Sequence, residues 1–211
     1  GSLAPERARA IEIVNQDGIE QFPFINNARQ LVETVRKFND DTEIVRDAVS
    51  NVGVLLKYVS PRLQNNRDIV LAAVRNEGYA IRYASTRIRF DRQVAMVAVI
   101  QNGEALVHLF HVFGDDETLV INAVSKVGSA IRHASRRLRD DDNVVLTAVS
   151  NEGRAIQYAS DRLRDNESTV SHAVNQDASA LEFASVRLRD DRDIVLNAVR
   201  QDGMTLEYAS A

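Results

Sequence analysis

The sequence has no cysteine and no tryptophan. Disulfides and thiolate metal sites are therefore excluded, and the chain would suffer no penalty in a reducing compartment such as the cytoplasm. No apolar run approaches the ~18 residues of a membrane-spanning helix. Gly1-Ser2 reads as a cloning scar where a signal peptide would otherwise stand. An excess of charge of one sign is also missing. Lys and Arg number 26 against 30 Asp and Glu, and the resulting −4 gives no general attraction to nucleic acid or anionic lipid. The familiar catalytic signatures are absent too, with no Walker A run, no Gly-x-Gly-x-x-Gly, no His-Glu-x-x-His and no Gly-x-Ser-x-Gly elbow. "DDDNVV" at Asp140 lacks the sixth-position glycine and twelfth-position glutamate of a calcium loop, so capping is its expected role. The expectation is a protein that is not an enzyme, with no catalytic residue, no metal site and no cofactor.

What is present is a period. With 45% apolar residues the 211-residue chain can bury a core. From Asp40 onward, units begin at Asp40, Asn65, Phe90, Asp115, Asp140, Asp165 and Asp190, 25 residues apart without a slip. The unit is clearest in "DDDNVVLTAVSNEGRAIQYASDRLR", and the seventh copy stops at Ala211 before its Arg-Leu-Arg, as if cut. Asp41, Asn66, Asp91, Asp116, Asp141, Asn166 and Asp191 each precede a helix-periodic run, which predicts an N-cap. Val144, Val145, Ala148 and Val149 mark the buried stripe of the first helix. Gly53, Gly78, Gly103, Gly128, Gly153 and Gly203, with Ala178 as the exception, predict a left-handed helix stop. A second, shorter helix should follow. Ser60-Pro61-Arg62-Leu63 then predicts a one-turn helix closing each unit, with Leu63, Leu138, Leu163 and Leu188 turned inward.

Helices this short are marginal alone, so stability must come from stacking neighbours. The expected fold is all-α, an α-solenoid of about seven 25-residue helical hairpins. Residues 3–39 form a divergent N-terminal cap whose stripe is Leu31, Val32, Val35 and Phe38. Ile11 to Gly18 matches the end of a first helix.

"DIVLAAVRNEGYAIRYAS" from Asp68 to Ser85, and "DIVLNAVRQDG" with "LEYAS" near the C-terminus, resemble a tandem helical-repeat domain family of unknown function. Its members occur, among other places, in effector proteins of intracellular bacteria. The resemblance covers Asp40 to Ala211. It implies helical repeats and an effector setting, with host cytoplasm as one address, and it carries over no catalytic residue or ligand.

Three ladders offer binding surfaces. Tyr58, Tyr83, His108, His133, Tyr158, Phe183 and Tyr208 share one position, either as recognition platforms or as rings sealing one hairpin on the next. Arg62, Arg87, Arg137, Arg162 and Arg187 form a rail that could hold phosphates or an acidic peptide. Each also lies three or four residues before the next cap, as Arg137 does before Asp141, and surface pairing there is the expectation. Interleaved carboxylates make nucleic acid, through repeats 2 to 4, a minor alternative. His108, His111 and His133 could gather in one patch, with Asp115 or Asp116 as further zinc ligands, but no metal motif supports this.

The departure from pattern is "VHLFHVFGDD". Where repeat 5 has Ser160, Arg162, Leu163 and Arg164, repeat 3 has Phe110, Val112, Phe113 and Gly114. His108, Phe110, His111, Val112, Phe113 and His133 are therefore the candidate contact for a protein or peptide partner, or for self-association through repeat 3. The competing reading has the cap, or a bend of the stack, burying these groups internally. The expected function is a protein-interaction scaffold. The alternative is a regulatory or targeting segment of a larger enzyme whose catalytic domain lies outside this chain.

Overall fold

In the computed structural model, residues 4–15 and 25–209 are described. The expected scar at Gly1-Ser2, residues 16–18 of the Ile11 to Gly18 stretch and the cut at Ala211 lie outside them. The fold is an all-α solenoid, with no strand among the described residues. First helices begin at Thr42, Arg67, Arg92, Glu117, Asp142, Glu167 and Arg192, so the 25-residue step holds throughout. All seven expected N-caps are made. Asp41 accepts from the N–H groups of Glu43 and Ile44, and Asp141 from those of Asn143 and Val144. Val144, Val145, Ala148 and Val149 are fully buried.

Two of the expected details are corrected. The element after each glycine is a six-residue 3-10 helix, such as Gly53–Tyr58 or Gly153–Tyr158, and not a short α-helix. The glycines are not left-handed stops either, since none has φ in that region. The residue before the glycine makes the break in extended conformation, at φ −138° in Val52 and −146° in Glu152. What requires glycine is proximity to the next helix. A Cβ on Gly53 would sit 2.6 Å from the carbonyl oxygen of Ala73, and one on Gly153 2.5 Å from that of Ala173.

The chain divides into two compact units, residues 1–101 and 102–211, and the division falls inside repeat 3. In the first unit, the Ala4–Asn15 helix acts as a divergent first helix. Arg7 reaches the start of the Thr42–Asn51 helix at Asp41 (2.6 Å) and Glu43 (2.5 Å), as Arg67 reaches Asp91 (2.8 Å). Asn51 donates to the carbonyl of Val14 at 2.8 Å. The Ile25–Lys37 helix buries Val35 completely, while Leu31, Val32 and Phe38 are half-buried.

Successive repeats share an amide clasp. Gln101 accepts from the Gly78 N–H (2.5 Å) and donates to the Asn76 carbonyl (2.9 Å). In the second unit Asn151 accepts from the Gly128 N–H (2.9 Å) and donates to the Ser125 carbonyl (3.1 Å). The clasp satisfies two backbone groups that the helix break leaves unpaired.

Candidate functional site

A Ser-Arg pair near the end of repeats 1, 2, 4, 5 and 6 ties each of them back onto its own first residue. Ser60 caps the Pro61–Gln64 helix by accepting the Leu63 N–H, and its hydroxyl donates to Asp40. Arg62 grips the same residue twice, through Nε to Asp40 Oδ1 (2.9 Å) and through Nη2 to the Asp40 carbonyl (2.8 Å). The geometry recurs as Ser85 and Arg87 on Asn65, Ser135 and Arg137 on Asp115, Ser160 and Arg162 on Asp140, and Ser185 and Arg187 on Asp165. The serine hydroxyl, followed by the arginine at Asp40 and Asp140, holds these carboxylates below the ordinary value of 3.8.

The arginine rail is thus a set of internal clamps. Pairing was expected from the sequence, but the partner is the residue 22 positions back and not the cap four positions ahead. The aromatic ladder is half-buried in every described repeat, and several rings are covered by the chain's own cations. Arg36 lies 4.6 Å over Tyr58, and Arg154 lies 4.8 Å over Phe183.

Repeat 3 breaks the clamp. In the second unit Phe110 is 40% exposed and Val112 is 42% exposed, at the serine and arginine positions. The Phe110–Phe113 turn starts at Leu109 without a side-chain cap. The His111 ring packs on Phe110 with centroids 3.8 Å apart, and the His133 ring is 6.0 Å away. Arg132 Nε donates to His133 Nε2 at 2.9 Å, and burial chiefly pushes the His133 pKa below 6.5, so the ring is held neutral beside Phe110.

Phe113 does not join this surface. Phe113 is only 7% exposed and fills the core position of Leu163, because it points inward from the same turn that turns Phe110 outward. His108 is half-buried. Among the described residues, no group of three or more His, Asp or Glu is placed to hold a metal ion. None of the described helices is long and apolar enough to cross a membrane.

Sequence reasoning missed Phe90. Counting 20 back from Phe110 and 22 back from Val112 reaches Phe90 in both cases, so acid, serine and arginine are exchanged together in the sequence. Phe90 belongs to the first unit and is 57% exposed. The 20- and 22-residue offsets were the signal, and they become visible only once the clamp is known.

No curated protein and no solved structure matches the chain. A family model described as a domain of unknown function (DUF4116) matches residues 41–89, 71–111, 116–164 and 166–211, and three of these matches begin at the N-caps Asp41, Asp116 and Asn166. With most of its length covered by these tandem matches, the chain belongs to the DUF4116 family.

Proposed function

We propose that the chain is a non-enzymatic interaction scaffold, and that the surface around Phe110 and Val112 docks a protein partner, a second copy of the chain included. One observation carries this reading. Where other repeats spend a serine and an arginine on an internal clamp, repeat 3 exposes a phenylalanine and a valine. Exposed apolar side chains grouped together cost solubility and return free energy only when covered. A ring flanked by two imidazoles, one of them neutral, supplies the aromatic anchor that dominates interface energetics. The array form supports the same reading, since stacked repeats present long surfaces without a catalytic centre.

Writing the pattern back, Phe110→Ser with Val112→Arg, tests it. Sedimentation velocity over a range of concentrations, together with photo-crosslinking from position 110, should show an association in the parent. The variant should lose that association while melting at the parental temperature. A parent that stays monomeric and uncrosslinked, with a variant that melts much lower, would make the patch internal and refute the reading.

A further inference from the structure

The first unit carries a second surface with different chemistry. The Thr42–Asn51 and Arg67–Asn76 helices lie side by side, and their outer faces enclose an open groove of about 820 Å³. That is within the range of ligand-sized clefts, about 300–1,000 Å³. Arg46 and Ser50 line it from one helix, and Arg67, Leu71, Ala72 and Arg75 from the other.

The three guanidinium groups are not equivalent. Arg67 is held by Asp91 (2.8 Å) and Gln93 (2.5 Å), so it is fixed in place as a wall. Arg46 and Arg75 are exposed, and neither side chain has a hydrogen-bond or ion-pair partner among the described residues. The repeat pattern gives no structural reason for a cation at Arg46. The same position holds Leu71, Met96, Ile121, Leu146, Ser171 and Leu196 in the later repeats. Between the arginines the floor is Leu71 and Ala72, with Asp68 the one carboxylate on the wall.

We infer that this groove binds an acidic segment of a protein partner, whose carboxylates pair with Arg46 and Arg75 and whose intervening apolar side chain rests on Leu71 and Ala72. Guanidinium groups match carboxylates in planar, two-point geometry, and opposed charge across a groove fixes register and speeds encounter. A nucleic-acid strand fits less well. The groove offers no aromatic ring on which a base could stack, and Asp68 would face the phosphates. This surface shares no residue with the patch around Phe110, so either one can fail while the other stands.

The test is fluorescence anisotropy on the whole chain with a labelled peptide of alternating glutamate and leucine pairs. Its lysine-leucine counterpart and labelled oligothymidylate serve as competing probes. The acidic peptide should bind, weaken as salt is raised, and lose about tenfold or more in affinity in the Arg46→Glu/Arg75→Glu double variant. Both positions are exposed, so the double variant should melt as the parent does. If it does not, Arg46→Gln/Arg75→Gln replaces it, with the same direction expected. Equal affinity in parent and variant, equal affinity for the acidic and basic peptides, or tighter binding of oligothymidylate would each overturn the inference.

Discussion

At the scale of single residues, the glycines separate proximity from backbone conformation. Gly153 has the Ala173 carbonyl oxygen 2.5 Å from where a Cβ would stand, with Gln176 Oε1 at 2.7 Å, whereas Gly203 has nothing within 4 Å. Gly153→Ala should therefore cost on the order of 1–3 kcal/mol through overpacking. Gly203→Ala should be neutral, or stabilising by about 0.4–1 kcal/mol through the unfolded chain. Paired thermal melts check this, and equal losses at both sites would contradict it. The chain has one alanine in this series already. At Ala178 the neighbouring Gln201 makes no bond to the residue-178 N–H and donates instead to the Val174 carbonyl, at 3.0 Å. The spacing of these glycines was legible in the sequence, but their cause was not. A helix stop and a close approach select the same residue, and only the distance to the next helix tells them apart.

At the scale of elements, the caps were legible because an N-cap is local: Asp141 and the N–H groups it accepts from lie within three residues of one another. The clamp was not legible, because it spans 22 residues and depends on how the end of a repeat folds back on its own start. Asp141 is spent on its own helix, which leaves Asp140, one residue earlier, to hold Ser160 and Arg162. The two clamp side chains should respond differently to acid. The folded pKa of Asp140 lies below 3.8. Its contribution is thus complete above the ordinary carboxylate range and is lost as pH falls through the folded value. The destabilisation caused by Arg162→Ala should then shrink in acid to the small part carried by its exposed bond to the Asp140 carbonyl, which does not titrate. Ser160→Ala should retain a residual loss there, about 1 kcal/mol, because the serine also caps the Leu163 N–H and that bond does not titrate. Melting temperatures of parent and both variants between neutral pH and about pH 2 check this. Two losses that fade together would show that the cap contributes nothing. The contact surface was half legible for the same reason. Phe110 and Val112 stand out together within one short stretch, whereas Arg46, an outlier at its own repeat position, lies 29 residues from Arg75, and only the packing of their two helices brings them to one groove.

At the scale of the whole molecule, the period announced the solenoid, since seven in-phase copies with caps leave few other ways to bury the stripe. The division into two compact units carried no composition signal, although it falls in the repeat whose joint departs from the pattern. In such arrays each repeat is stabilised by its neighbours, so protection should track local burial and not the sequence of the repeat itself. Repeats 5 and 7 share the aspartate cap, the apolar stripe and the glycine in different surroundings. Val144, Val145 and Val149 are fully buried, while their counterparts Ile194, Val195 and Val199 are less so, and Met204 and Leu206 are 73% and 60% exposed. Opening the last repeat uncovers less apolar surface, so it requires less free energy. Hydrogen exchange followed by mass spectrometry should find amides in 194–208 exchanging well before those in 144–158, although both segments are capped by an aspartate and run through a ten-residue helix into a 3-10 helix. Equal protection in the two segments would mean that intrinsic helix propensity, and not stacking on neighbours, sets stability in this chain.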